Sequence, residues 1–377
     1  MDFSLTEEQK MLRKSARDFL ESECPVSQVR EMAGDEKGYS PQLWQKMARL
    51  GWQGLLFPGR YGGGDGTFLD LVVLLEETGR FLLPVPLLPA VLSGAIILKA
   101  GNEKQKARLL PSLISGDLIL SLAFTEPSMR YLNSSMATGA VFRNDHYVIN
   151  GTKLFVPMAR GAGYLLCAAR TGDTSSAADG VTLFIIDSQS AGISYTPLKT
   201  MGRDKQYEVS FNNVMVPAEN ILGELHGGWR YISSHFLPMA TIARCAEMNG
   251  GARKVIEMTV EYARERVTFG RPLGGHQAVQ HLCSDMLVAL ESAQVLTYKA
   301  AWNISRGQFD NLEISMAKYL ANECYTRVVA TGTQIQGGVS AIIDHDMPLY
   351  YRRAKASEIT LGDADYHLEL IARELLD

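Results

Sequence analysis

Apolar positions recur every three or four residues over long stretches at both ends of the chain, and gather into short runs in the middle. In SLTEEQKMLRKSARDFLESE, Leu5, Gln9, Leu12, Ala16 and Leu20 fall near one helical face, with Thr6 and Glu8 suited to a helix start. SPQLWQKMARLGW and FLDLVVLLEETGRFLL continue that texture, each closing near Gly or Pro, and NEKQKARLLPSLISGDL is again amphipathic. From about residue 119 the texture changes. LILSLAF, HYVINGTKLFVP, GYLLCAAR, VTLFIID, ISYTPL and YEVSFNNVMV are short, β-branched or aromatic runs parted by Gly, Asn, Asp and Ser, which predict a small antiparallel sheet or barrel. After GELHGGWRYI the helical period returns. In ATIARCAEMNGGARKVIEMTVEYARERVTFG the positions Ile242, Cys245, Met248, Ala252, Val255, Met258 and Tyr262 repeat at helical spacing. HQAVQHLCSDMLVALESAQVLTYKAAW and EISMAKYLANECYTRVVATGTQIQGG do the same. The pattern predicts a mainly α chain with a central β domain: helices over 1–118, a β domain over 119–224 and a helical bundle over 225–377.

Composition removes alternatives more than it adds any. At 377 residues, 46% hydrophobic and 21% charged, the chain has ordinary globular composition and is long enough for two or three domains. A formal charge of -4 and a pI near 6.0 give no general attraction to nucleic acid or anionic lipid. The first twenty residues lack the apolar core of a signal peptide, and no apolar run approaches the roughly 20 residues of a membrane helix, so a cytoplasmic location and no membrane partner are expected. Cys24, Cys167, Cys245, Cys283 and Cys324 are scattered without metal-site or disulfide spacing and read as free, mostly buried thiols. In DHDMPLYYRR, Asp344 and Asp346 flank His345, but three such positions on one turn rarely share an ion; no metal is expected. No internal repeat stands out, and neither G-x-G-x-x-G after a strand nor a G-x-x-x-x-G-K-[ST] loop is present, so a nucleotide would be held in another way.

Four stretches in fixed order carry a resemblance: AFTEP opening the β domain, YARERVTFGRPLGGHQAVQ in the bundle, TQIQGG, and then LYYRRAK. Together they resemble the acyl-CoA dehydrogenase family over nearly the whole chain. The resemblance implies an N-terminal helical domain, a small β-barrel or sheet and a C-terminal four-helix bundle. It implies FAD lying between two subunits, an acyl-CoA substrate, and electron-transfer flavoprotein as a partner. In that chemistry a carboxylate takes the proton next to the thioester while flavin N5 accepts hydride from the next carbon.

The two halves of the implied flavin site differ here. On the pyrophosphate and adenine side the family's pattern is kept by Arg266, Thr268, Phe269 and Gly270, by His276 and Gln277, and by Gln334, Gly337 and Gly338. An arginine fork suits phosphate oxygens, and paired glycines admit close backbone approach. On the flavin-facing side Thr125, Glu126 and Pro127 match, whereas Ser128, Met129, Arg130, Tyr131 and Leu132 replace a small, flexible loop. After Lys153 the family's Trp-Ile-Thr becomes Phe155, Val156 and Pro157; an aromatic survives and a hydroxyl is lost.

The catalytic base is the sharpest departure. Aligned without gaps on Arg352, Arg353, Ala354 and Lys355, the family's glutamate position holds Leu361, and the alternative position used by some members holds Ala240. Glu247, two turns beyond Ala240 on nearly the same face and about 10 Å away, is the nearest substitute. It is equally suited to pairing with Arg244. Asp363 and Asp365 would repel a pyrophosphate, at roughly 4 kcal/mol for charges 4 Å apart at intermediate dielectric, and suit a cap on the last helix better. His367 reads as a surface or satisfied core residue.

These readings converge on the small, catalytically incomplete subunit of a heteromeric α2β2 acyl-CoA dehydrogenase, with a homologous subunit as partner. Three alternatives stay open: a self-sufficient homo-oligomer using Glu247 or Asp363 as an unorthodox base, a flavin-free scaffold, and a flavin monooxygenase on the same fold. The acyl group is not legible, although mixed assemblies of the family often serve bulky, ring-bearing or dicarboxylic thioesters.

Overall fold

The computed structural model describes residues 4–127, 136–172 and 180–376. Six helices come first: α1 (Glu7–Glu23), α2 (Val26–Gly34), α3 (Pro41–Arg49), α4 (Phe68–Arg80), α5 (Leu87–Ala100) and α6 (Glu103–Ile114). Eight strands follow: β1 (Leu120–Ala123), β2 (Gly139–Arg143), β3 (His146–Pro157), β4 (Tyr164–Arg170), β5 (Val181–Asp187), β6 (Ile193–Leu198), β7 (Gln206–Pro217) and β8 (Ile221–Leu222). A short α7 (Gly228–Tyr231) leads through one π-type turn into α8 (Leu237–Glu265). A small hairpin, β9 (Val267–Thr268) and β10 (Arg271–Pro272), precedes α9 (Gln277–Ser305), α10 (Asn311–Gln336), α11 (Met347–Ile359) and α12 (Ala364–Leu376). Backbone contacts gather these into two compact units, one of residues 1–31, 67–83 and 238–377, the other of 32–66 and 84–237.

Helix starts follow the local chemistry. Thr6 accepts from Gln9 N at 3.2 Å while Gln9 returns a bond to Thr6 N at 3.1 Å. Thr67 with Asp70 and Asn102 with Gln105 form the same reciprocal caps. Gln9, counted above on the apolar face of α1, is therefore a capping residue, and its amide also donates to Asp70 at 2.8 Å. Two helices lay outside the amphipathic pattern. The short α2 buries only Val29 and Met32, one turn apart, too brief a run to stand out, and α5 is buried nearly all round, so it shows no polar face to read.

In the bundle unit, Gly79 on α4 and Gly250 on α8 bring two helix backbones into contact. A Cβ at Gly79 would lie 2.0 Å from the Glu247 carbonyl oxygen, and one at Gly250 would lie 1.8 Å from that of Glu76. Gly250 and Gly251 each cost about 1 kcal/mol inside a helix; the close crossing offsets the first, and the second makes room for Tyr325, whose hydroxyl would lie 2.3 Å from a Cβ there. Buried carboxylates tie α4 to α1 and α9 as well. Glu77 takes a bidentate bond from Arg17 at 2.7 and 3.0 Å, and Glu76 accepts from Arg13 at 3.0 Å and from Tyr298 and Gln294.

In the other unit the strands form one sheet in the order β6-β7-β3-β2-β4-β5-β8, with β1 also beside β4. The expected antiparallel pairing holds for β2–β3, β3–β7, β4–β5, β5–β8 and β6–β7, but β1 and β2 both run parallel to β4. Strand runs read from sequence do not encode direction, which is settled only by how the strands pair in the folded chain. Between Lys153 and Val156 the β3–β7 register slips, and Phe155 sits at φ 53° within the bulge. The slip keeps Lys153 and Val156 inside while Phe155 turns outward, 55% exposed.

Candidate functional site

The β1–β3 end of the sheet is organised by a buried ion pair. Lys153 Nζ lies 2.6 Å from Glu126 Oε1, with side chains 0% and 2% exposed. Glu126 also accepts from Ala137 N at 2.5 Å and Thr138 N at 2.9 Å. Burial pushes its carboxyl up, but the Lys153 charge and these bonds outweigh that and hold it below the usual range. Next to it, the Thr125 carbonyl accepts from Leu154 N at 2.8 Å. Thr125 and Phe155 are thereby held on neighbouring segments of one sheet. Ser128, Met129, Arg130, Tyr131 and Leu132 lie outside the described residues.

The β9–β10 hairpin leaves the end of α8. Leu273 N donates to the Arg266 carbonyl at 2.7 Å, and the His276 ring sits 3.3 Å from the Thr268 carbonyl and 3.1 Å from Arg271 Nη2. This frame pushes Phe269 outward at φ 53° and 93% exposed. Arg266, Gln277 and Gln334 are exposed, and none makes a side-chain hydrogen bond or ion pair among the described residues. Gly337 ends α10 at φ 65°, and a Cβ on it or on Gly338 would meet nothing within 4 Å. Three unengaged donors and an open glycine pair suit an anionic, phosphate-bearing ligand. Gln336, beside them, is instead buried and donates to Thr259 Oγ1 at 3.1 Å.

The turn after α11 carries Leu361, the residue expected from the sequence at the family's base position, at φ 63°. The turn is fixed from three sides. Lys318, fully buried on α10, donates to Asn322 Oδ1 at 2.5 Å and to the Ser357 and Glu358 carbonyls at 3.0 and 3.4 Å, and burial lowers its ammonium to about 8. Asn322 Nδ2 reaches the Gly362 carbonyl at 3.3 Å. His367 Nε2 lies 2.9 Å from the Leu361 carbonyl, and a Cβ on Gly362 would lie 2.6 Å from that ring nitrogen. Asp363 Oδ1 accepts from Tyr366 N at 2.8 Å, capping α12, and Asp365 follows in the first turn. Asp363 thus serves as a helix cap, and Glu358 pairs with Lys355 at 3.0 Å.

His367 gives a testable pH dependence. Burial pushes its imidazole down to about 4, against the opposing bond to Leu361. Between the ordinary histidine value and about 4 the unfolded chain binds a proton that the folded chain refuses. Stability is therefore full above pH ~6.5 and falls by about 3 kcal/mol as the pH drops to ~4. His367→Gln, which keeps a donor for the Leu361 carbonyl, should flatten that part of a urea-midpoint against pH curve; an unchanged slope would remove His367 as its source.

On α8, Ala240 is buried and Glu247 lies 2.6 Å from Arg244 Nη1. The space beside Glu247 is a cavity of about 20 Å³. Around His345, Arg30 donates to the Asp344 and His345 backbone carbonyls at 2.9 and 3.0 Å and to Asp346 Oδ1 at 2.9 Å. Cys24, Cys167, Cys245 and Cys324 are buried free thiols, and Cys283 is half-buried. Among the described residues no helix is long and apolar enough to cross a membrane.

Three family models match in succession: acyl-CoA dehydrogenase N-terminal domain over residues 6–117, middle domain over 121–214 and C-terminal domain over 226–376. The chain belongs to the acyl-CoA dehydrogenase family. It is 31% identical over 384 residues to the caffeyl-CoA reductase-Etf complex subunit CarC of Acetobacterium woodii, covering 98% of this chain and 99% of that one. Among solved structures it is similar to butyryl-CoA dehydrogenase from Megasphaera elsdenii, with TM-score 0.93, 30% identity and full coverage of both chains. It is also similar to a chain of the ChsE4-ChsE5 complex from Mycobacterium tuberculosis, with TM-score 0.89, 27% identity, and coverage of 100% and 99%. Acyl-CoA dehydrogenases are FAD-dependent flavoproteins, and the helical, sheet and bundle layers of this chain are those of the family. Sequence reasoning did not single out Lys318 or the Lys153–Glu126 pair; a lysine on helix or strand looks like a surface lysine until packing is known.

Proposed function

We propose that this chain is the base-deficient subunit of a mixed acyl-CoA dehydrogenase. In this reading it clasps the pyrophosphate and adenine of FAD, while a homologous partner supplies the carboxylate that removes the proton next to the thioester. The observation that carries the reading is Leu361 at the base position, on a turn locked by Lys318, Asn322 and His367 so that no neighbouring acid can take its place. Glu247 is a poor substitute. It is bound to Arg244, and its cavity holds about one water-sized group, far short of an acyl chain.

The residues present fit the cofactor on the clasping side. Arg266, Gln277 and Gln334 would hold the phosphates and adenine edge, Gly337 and Gly338 would let the backbone approach, and Phe269 would cover the ligand's face. Thr125 and Phe155 would meet the flavin end, where Pro157 has neither hydroxyl nor amide proton to offer. When bound, FAD supplies the hydride acceptor. This chain's share is to bind and orient it, and electron-transfer flavoprotein is the electron acceptor that the reading implies. The existence of a two-protein complex among the similar structures supports an assembly of unlike chains.

Purification alone and together with a second acyl-CoA dehydrogenase chain that has a glutamate base tests the proposal. Alone, the chain should carry little flavin and turn over no acyl-CoA; together, each mixed pair should carry one FAD and be active. In the assembly Arg266→Ala should weaken FAD retention by about tenfold or more, whereas Glu247→Gln should leave turnover unchanged. A flavin-replete, active homomer of this chain would refute the reading.

A further inference from the structure

Beside Glu247, in the bundle unit, buried donors outnumber their acceptors. The cavity there is lined by Thr78 and Leu82 of the α4 segment, Arg244 and Glu247 of α8, and Arg353 and Ser357 of α11. Arg244 spends Nη1 on Glu247 at 2.6 Å, but its Nε is buried without a hydrogen-bond partner. Arg353, half-buried, has no hydrogen bond or ion pair among the described residues. The Tyr325 hydroxyl, on a side chain 1% exposed, is likewise unpartnered, and Arg353 and Glu247 are among the charges it feels. Two guanidinium groups thus face one carboxylate, and the buried Lys318 ammonium lies close enough to be disfavoured by Arg244.

A water would satisfy hydrogen bonds here but would leave the surplus positive charge in place. Half-buried unpaired guanidinium is costly, and its planar fork matches a carboxylate. Size selects further. About 20 Å³ accepts one oxygen-sized group, so a planar carboxylate can insert one oxygen and leave the rest outside, which a tetrahedral phosphate does less well. Leu82 and Leu83 at the same cavity provide an apolar wall for methylenes.

We propose that Arg244 and Arg353 form an anion site that takes the carboxylate of a short aliphatic acid or of an acyl group ending in one. The site goes beyond the shared-flavin reading and holds whether or not that reading does, because it uses one compact unit of this chain and no cofactor.

Titration of the full-length chain with butyrate and with butyramide, its neutral counterpart, tests it. Butyrate should bind about tenfold or more tightly than butyramide, and Arg353→Met should erase that difference. Arg353→Lys, which keeps the charge and loses the fork, should fall between them, and Glu247→Gln should tighten butyrate by removing like charge. Crystals grown in bromide should show an anomalous peak within hydrogen-bonding distance of Arg353. Equal affinity for the two probes, an unchanged preference in Arg353→Met, or no bromide peak would overturn the site. Should Arg353→Met fail to fold, Arg353→Lys and the bromide crystals still decide the matter.

Discussion

Replacing Lys153 with Met is expected to destabilise the sheet unit by about 3–5 kcal/mol, because it strands the Glu126 carboxylate in a dry interior. With side chains 0% and 2% exposed, neither partner has water to fall back on. Glu126 would keep its two backbone donors, Ala137 and Thr138, but lose the charge that holds its carboxyl in the ionised form. The sign of the pH effect follows from that lowered value. The wild-type contribution is complete above the ordinary carboxyl range and is lost as pH falls through the lower folded value, whereas in Lys153→Met the carboxyl should already protonate at higher pH. Lys153→Met combined with Glu126→Gln should recover much of the loss, since a neutral amide needs no counter-charge. Urea titrations of the two single variants and the double variant measure the coupling. A loss under about 1 kcal/mol in Lys153→Met would show that water reaches Glu126 and that the pair is not what fixes the Thr125 segment.

Gly250→Ala is the second large effect. One methyl group would have to occupy a point 1.8 Å from the Glu76 carbonyl oxygen, and the obstacle is helix backbone, which has no rotamer to yield. The α4–α8 crossing must open, disturbing the Glu76 and Glu77 networks with it, for an expected cost of about 3 kcal/mol or more. Gly34→Ala serves as the control: at that position an added Cβ meets nothing within 4 Å, and the change should be neutral or slightly stabilising. Similar urea midpoints for Gly250→Ala and wild type would mean that the two helices are held less tightly than the structure indicates. Opening the crossing should also enlarge the cavity beside Glu247, so butyrate selectivity should fall along with stability in that variant.

The residue pattern carried much of the architecture. Periods of three to four residues in α1, α4, α8, α9 and α10, and the short apolar runs between them, were readable because each element keeps one face toward a core. α5 was not, since a helix buried on all sides has no polar stripe, and the direction of β1 against β4 was not, since alternation is the same in parallel and antiparallel strands. Leucine at position 361, where the resemblance leads one to expect a carboxylate, was legible because it is a matter of residue identity. The pairing of Glu247 with Arg244, three residues away on α8, was legible too, whereas only the fold brings α4 against α8.

By itself, then, the sequence determined the order of helical and sheet segments and the family, because side-chain chemistry and short-range spacing are local properties. The tertiary structure alone decided which charges are buried and with whom: Lys153 with Glu126, Lys318 with the end of α11, and Arg353 with no partner among the described residues. The physical reason is that an ion's energy depends on the dielectric and on charges brought together from distant parts of the chain, such as Arg244 and Arg353, and that arrangement exists only once the helices have packed.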